Sequence, residues 1–271
     1  MNKGVLYLLI NNPQSAPRLC VSLWSLRKHY DGPVTIIANE ATEDVVRKIA
    51  DGLDADVKMV EVDQHRKNGH FLDKPKMPEW SPYDQTVFLD CDTLIVAPIN
   101  DLFVSLDANP LFVTQFSDWR SDGRKIRNRV LGLRKKSPLI DHLVDLQEQK
   151  PCAALNTGVV GWNRNAEGVL WWRAIVEALG PIWIADELAM QVVFDLVPHE
   201  LLGRRYNCSP IYDETEKNPV IWHFHGRKHM RHAKGRAIWL PAFLECEKEN
   251  AAHIKSWGRG IDKEIDKHEK D

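Results

Sequence analysis

Two aspartates one residue apart, Asp90 and Asp92, follow the apolar run Val87-Phe88-Leu89 and precede Leu94-Ile95-Val96. Side chains alternate across an extended chain, so if strand geometry runs through the triplet, both carboxylates project to one side and Cys91 to the other. The β-branched and bulky flanks suit a strand buried on both faces. Two ionised carboxylates in such a place repel each other and are costly to desolvate, and a divalent cation between them relieves both problems. Hard oxygen ligands favour Mg²⁺ or Mn²⁺, whose coordination is usually completed by water and substrate phosphates. The competing reading is a solvated pair in a turn after the strand, the commoner fate of an Asp-X-Asp triplet.

Three further segments carry polar chemistry. Leu155-Asn156-Thr157-Gly158 sets small and amide residues at a strand start, suited to bonding hydroxyls. Trp183-Ile184-Ala185-Asp186-Glu187 puts paired acids at a helix start, where acids more often serve as caps. Ile221-Trp222-His223-Phe224-His225-Gly226-Arg227-Lys228 follows a strand with a candidate third metal ligand, a glycine that admits close backbone approach, and cations suited to phosphate. A lone histidine at such a place is more often structural.

The elements that must position these groups alternate between short apolar runs and helical patterns, which predicts a parallel sheet with crossover helices. Val5 to Ile10 reads as a strand, Pro17 to Tyr30 as a helix with Leu19, Leu23 and Leu26 on one face, and Val34 to Ala38 as the second strand. Thr42 is placed to cap a helix through Ile49, and Val57 to Val62 and Thr86 to Leu89 are the third and fourth strands. Helices are expected near Pro138 to Gln149, Ala166 to Leu179 and Asp186 to Phe194, with strands at Gly158 to Trp162 and Val220 to His223. In open α/β sheets ligands bind outside the carboxyl ends of the strands, where Asn11, Asn12, Asp90 and Asp92 all fall.

The chain has 271 residues, 44% hydrophobic and 27% charged, with a formal net charge of -2, so nothing global points to nucleic acid. That length suits one domain. The expected division is a domain at 1–246, with a nucleotide-binding half at 1–103 and a sugar and acceptor half at 104–246, and a charged tail at 247–271. Five cysteines, at 20, 91, 152, 208 and 246, lack paired short spacings, which argues against a disulfide framework and for a reducing cytoplasm. The N-terminal apolar run is too short to span a bilayer. Basic residues gather between Arg120 and Lys136, a run read as a solvated face that leaves room for acceptor or peripheral membrane contact. Ten tryptophans, Trp80, Trp119, Trp162, Trp222 and Trp257 among them, offer flat faces to sugars, although core packing is the commoner use.

Taken in order, these motifs resemble glycosyltransferase family 8, the glycogenin-like retaining enzymes. The resemblance runs over most of residues 4 to 230: Leu72-Asp73-Lys74 ahead of Trp80-Ser81-Pro82-Tyr83, then Asp90-Cys91-Asp92 running into Ile99-Asn100-Asp101-Leu102-Phe103, then Asn156-Thr157-Gly158-Val159, Asp186, and His223-Phe224 with Gly226. It implies an α/β GT-A fold, a Rossmann-like domain whose central, mostly parallel mixed sheet is flanked by helices. It also implies Mn²⁺ held by Asp90, Asp92 and His223. Leu9, Asn11 and Asn12, with the backbone around Leu89 and Cys91, would line the base and ribose pocket. Lys74 would contact the donor, Gly226 and Lys228 the diphosphate, and Asn156 and Asp186 the transferred sugar. The chain departs from the family twice. Glu187 stands where the family has Gln, and by strict spacing the diphosphate lysine falls at His229, one position after Lys228.

The resemblance therefore implies a metal-dependent transfer of a hexose from a nucleotide sugar, a UDP-sugar, to a glycan, protein or lipid-linked acceptor with retention of configuration. Retention through a protein nucleophile would make Asp186 or Glu187 the candidate and Asn156 a stabiliser; a same-face attack guided by the leaving phosphate would not need one. Two other readings compete. A sugar nucleotidyltransferase shares the strand-borne carboxylates but usually has a Gly-rich basic loop after the first strand, where this chain has Asn11-Asn12-Pro13-Gln14-Ser15-Ala16-Pro17-Arg18. A catalytically silent nucleotide-sugar or glycan-binding protein would keep the ligands and lose turnover. Self-glycosylation, as in glycogenin, would need an acceptor tyrosine; Tyr212 lies in a roughly comparable loop with different spacing, and a plain loop tyrosine is the commoner case.

Overall fold

The computed structural model describes residues 1–63, 69–118, 126–132, 141–142, 144–145, 148, 153–212 and 216–250. Most of the basic run, most of the helix expected over 138–149, Trp119, Trp257 and the tail beyond 250 lie outside the described residues. The side chain of Lys228 does as well.

Nine strands are described: β1 (Lys3–Leu9), β2 (Val34–Ala38), β3 (Asp56–Met59), β4 (Gln85–Leu89), β5 (Thr93–Ile95), β6 (Leu111–Asp118), β7 (Ala153–Asn163), β8 (Glu200–Leu202) and β9 (Ile221–His223). The longer helices among the described residues are α1 (Ala16–Arg27), α2 (Glu43–Gly52), α3 (Asn100–Ala108), α4 (Glu167–Leu179), α5 (Ala185–Val193) and α6 (Ala233–Glu249). Seven strands form one sheet in the order β3-β2-β1-β4-β7-β6-β8, and β5 pairs with β9 in a separate ribbon. Pairing is parallel from β3 through β4 and between β6 and β8, while β7 runs antiparallel to both its neighbours. The expected GT-A architecture, a mostly parallel mixed sheet flanked by helices, is the one observed.

Both sheet faces are covered, as the unbroken apolar runs of the central strands require. Val5, Tyr7, Leu9, Val87 and Leu89 pack toward α1, α2, α3 and α6. Leu6 and Phe88 point the other way, into a core with α4, α5 and the short helical turns between Gly69 and Trp80. Trp162 and Trp172 are fully buried here, so their rings are core rather than sugar platforms. Reversing the chain at β7 puts its first residues on the edge where β1, β4 and β6 end. That edge gathers the site.

Several expected bounds move. β3 stops at Met59 rather than Val62, and β7 begins at Ala153, five residues before the expected start at Gly158. Thr42 occupies the N-cap position of α2 without capping it, because its hydroxyl bonds the Leu9 carbonyl at 2.7 Å and so ties α2 to the end of β1. No helix of the described residues is long and apolar enough to cross a membrane.

Candidate metal and donor site

β4 ends at Leu89, so the Asp90-Cys91-Asp92 triplet is a turn and not an extended strand. The alternation argument fails in its mechanism. The two carboxylates converge because the turn is clamped: the Asp90 amide donates to the Gly158 carbonyl at 2.7 Å on β7, and the Cys91 thiol donates to the Leu8 carbonyl at 3.3 Å on β1. Burial, with the neighbouring aspartates, pushes the Cys91 thiol up, so it is not a nucleophile at neutral pH.

The third member arrives through the β5–β9 ribbon. Thr93 pairs with His223, and the Phe224 amide donates to the Asp92 carbonyl at 3.0 Å, which sets an imidazole beside a carboxylate 131 residues away in sequence. His223 Nε2 lies 3.1 Å from Asp92 Oδ1 and 3.5 Å from Asp90 Oδ2, and the three groups offer ligand atoms within 4.8 Å of one another. Octahedral neighbours around a cation at roughly 2.1 Å stand about 3 Å apart, so the set fits a small divalent ion.

An asparagine that the motifs did not single out decides what His223 offers. Asn207 Nδ2 is spent on Thr114 Oγ1 at 2.7 Å and Asn156 Oδ1 at 2.8 Å, which turns its Oδ1 toward His223 Nδ1 at 2.8 Å. The ring must therefore donate from Nδ1, and in the neutral imidazole the Nε2 lone pair then faces two carboxylates. Three facing lone-pair donors call for a cation. The carboxyls respond in opposite directions. Burial and Asp92 push Asp90 up against the opposing pull of Lys74 and His223. Burial acts the same way on Asp92, yet His223 when its ring carries the second proton, together with Arg18 and the Gly226 amide, outweighs it and holds that carboxyl well below the usual range. Two acids split in this way are a pair whose mutual repulsion a cation would relieve.

Gly226 contributes through conformation. With φ at 89° it follows His225 at 46°, and this left-handed pair aims the Gly226 amide at Asp92 Oδ2. A Cβ there would meet nothing within 4 Å, so the residue is set by backbone angle and not by room. Gly158 is the reverse case. Its Cβ would come within 2.1 Å of the His223 ring, so only glycine lets β7 pass the imidazole.

Beside the carboxylates stands an acidic cluster on α5. The Lys74 ammonium joins the two, 2.9 Å from Asp90 Oδ1 and 3.5 Å from Asp186 Oδ2. Burial works to discharge this lysine, but Asp90 and Asp186 more than offset it, and its pKa is raised. Thr157 Oγ1 donates to Asp186 Oδ2 at 2.7 Å, and Asn156 Nδ2 donates to Glu187 Oε1. Neither acid occupies the N-cap position, which falls to Ile184. The residue before α5, Ile184, holds φ at 54°, an outlier for a β-branched side chain of the kind that clusters at functional sites. Asp186 Oδ1 is buried without a hydrogen-bond partner among the described residues.

The remaining expected residues spread along the same edge. Leu9 and Leu89 are buried in the core at the ends of their strands. Asn11, at φ 57°, exchanges bonds with Asn39: its amide donates to Oδ1 at 3.0 Å and its Oδ1 accepts from Nδ2 at 2.6 Å. Asn12 Nδ2 donates to Ser15 Oγ at 2.8 Å. No hydrogen bond among the described residues joins Asn11 or Asn12 to the carboxylates. His229, where strict spacing would put the diphosphate lysine, is buried against the rings of His225 and Tyr212.

No protein-family model matches the chain, and no curated protein matches it in sequence. Solved structures do. The galactosyltransferase LgtC, in complex with donor and acceptor sugar analogues, superposes with a TM-score of 0.60 at 15% identity over 91% of this chain and 96% of that one. The bifunctional glycosyltransferase WbbM gives 0.64 at 13% identity, over 95% of this chain and 51% of that one. Mouse xyloside xylosyltransferase 1 gives 0.54 at 14% identity, over 82% and 97%. The chain has a glycosyltransferase fold. At such identities the likeness is one of architecture, and what the site does must be argued from its own residues.

Proposed function

We propose that this protein is a metal-dependent glycosyltransferase that moves a hexose from a UDP-sugar to an acceptor with retention of configuration. The observation that carries the reading is Lys74. One buried ammonium touches Asp90 of the metal cluster and Asp186 of the acidic cluster, so metal-bound phosphate and transferred sugar would lie within one side chain of each other. The fold it shares with LgtC, WbbM and the xylosyltransferase supports the same class.

Asp90, Asp92 and His223 would hold Mn²⁺ or Mg²⁺, with His223 presented by Asn207. When bound, the ion supplies positive charge to the diphosphate that departs as the glycosidic bond breaks. Lys74 keeps its proton and adds a fixed charge beside that group. Lys228 and the Gly226 turn are placed by sequence to serve the same phosphates. Asn11, Asn12, Leu9 and the backbone at Leu89 and Cys91 form the nucleotide end. The bond from the anomeric carbon to phosphate breaks, the bond to the acceptor oxygen forms, and the acceptor proton leaves for the departing phosphate or a carboxylate. Asp186 Oδ1 and Glu187 flank that step, as nucleophile in a double displacement or as charge partners of the oxocarbenium centre in a same-face attack. Asn156 orients Glu187 and positions sugar hydroxyls.

Incubating the protein with a panel of nucleotide sugars and Mn²⁺ tests this directly. One UDP-sugar is expected to be hydrolysed or transferred with an α-to-α outcome, and chelator or Asp92→Asn is expected to lower turnover by about 10²- to 10³-fold, the scale of lost transition-state charge stabilisation. Turnover indifferent to both would overturn the proposal.

A further inference from the structure

Arg18 has no hydrogen-bond or ion-pair partner among the described residues, and its Nε is fully buried. An unmade bond at a buried charged donor is costly and asks for a reason. Its place in the fold gives one. Arg18, Ser22 and Ser25 recur at helical spacing on one face of α1, a polar stripe on an apolar helix. Ser22 Oγ bonds Thr93 Oγ1 at 2.6 Å and Ser25 Oγ accepts from the Ile95 amide at 3.0 Å, so α1 and β5 run side by side in the same direction. One helical turn back from Ser22 is about 6 Å, roughly two residues back along β5 from Thr93. That position is the Cys91-Asp92 turn, and the guanidinium charge is felt at both residues.

Arg18 does not pair with Asp92. Asp92 Oδ1 faces His223 and Oδ2 takes the Gly226 amide, so the carboxylate is engaged without it. The positive end of the α1 dipole points to the same edge. A planar fork of donors beside a metal cluster, left without an anion, matches the oxygens of a phosphate. We propose that Arg18 is a ligand for the diphosphate of the nucleotide donor, taking oxygens that the metal leaves free. This rests on the nucleotide-sugar reading above and adds a cation from the first helix.

Calorimetry on the full chain, with R18Q and R18K checked for folding by circular dichroism, tests it with four probes: Mn²⁺ alone, uridine, UDP with Mn²⁺, and inorganic pyrophosphate with Mn²⁺. R18Q is expected to weaken UDP binding by about 10- to 100-fold, the scale of a charge-assisted hydrogen bond pair. Uridine should be unaffected. R18K, with the charge but not the fork, should fall between and serves in place of R18Q should that variant not fold. Mn²⁺ should bind no more weakly, since a neighbouring positive charge has been removed. UDP affinity unchanged, or uridine and UDP weakened equally, overturns the assignment. Inorganic pyrophosphate with Mn²⁺ separates the two proposals. If wild type binds pyrophosphate but not UDP, and R18Q loses it, Arg18 is a phosphate ligand and the nucleotide reading fails; if wild type binds neither, both fall.

Discussion

The metal cluster and the acidic cluster are joined by Lys74 yet built in opposite ways. Asp90, Asp92 and His223 come from a turn and a short strand, and their geometry depends on pairings between distant segments: β4 with β7 and β5 with β9. Asp186 and Glu187 sit in the first turn of one helix, buried, with Ile184 in the left-handed region ahead of them. The first is a set of lone pairs that needs a cation to coexist. The second takes neutral donors, Thr157 and Asn156, beside the shared Lys74 ammonium, and leaves Asp186 Oδ1 without a hydrogen-bond partner among the described residues. On the proposed reading such a site would separate binding from chemistry: one end would gather charge for the phosphates, the other would hold carboxylates close to the sugar.

Substitutions at the two ends should therefore fail differently. His223→Ala removes the imidazole that opposes both carboxylates. It is expected to abolish tight Mn²⁺ binding and cut kcat/KM by about 10³-fold, with partial rescue at high Mn²⁺, read by calorimetry and steady-state kinetics. Asp186→Asn keeps shape and the Thr157 contact. Its expected effect is a fall in kcat of about 10²-fold with Mn²⁺ affinity close to wild type. Equal losses of metal affinity in both variants would show that the two clusters are one cooperative unit and break the comparison. In Mn²⁺ affinity Asn207→Ala should fall between the two, since it frees the His223 ring without touching metal or sugar. Lost partners of this type weaken metal binding by about 10- to 100-fold, and the apparent Mn²⁺ requirement should rise accordingly.

The two ends also differ in how far sequence revealed them. Strands, crossover helices and the motif order of the metal cluster were legible because apolar periodicity and an Asp-X-Asp after a buried run are local signals. The turn at Cys91 was not, since the same residues read as extended until their partners on β1 and β7 are known. Asn207 escaped because a buried amide looks like any loop asparagine before the fold brings Asn156 and His223 to it, and Thr114 because a strand threonine does not announce that its hydroxyl will meet that amide. Arg18 did leave a trace, in the polar stripe it makes with Ser22 and Ser25 on an otherwise apolar helix. The acids of α5 were read as candidates with capping as their commoner use; their side chains turn to Thr157 and Asn156, partners from a strand that only the fold brings beside them.

Gly226→Ala gives the smallest expected effect and the finest test of the difference. A Cβ at this position meets open space, so any consequence comes from forcing an L side chain to φ 89°. That conformation costs about 1–2 kcal/mol, which for a chain of this size lowers Tm by roughly 2–8 °C. If the backbone relaxes instead, the amide leaves Asp92 Oδ2 and the carboxyl loses one of the groups that hold it ionised. Mn²⁺ affinity should then fall several-fold while kcat at saturating metal stays near wild type. A drop in kcat with metal binding intact would place the Gly226 turn on the chemical side of Lys74, and the boundary between the two ends would have to move.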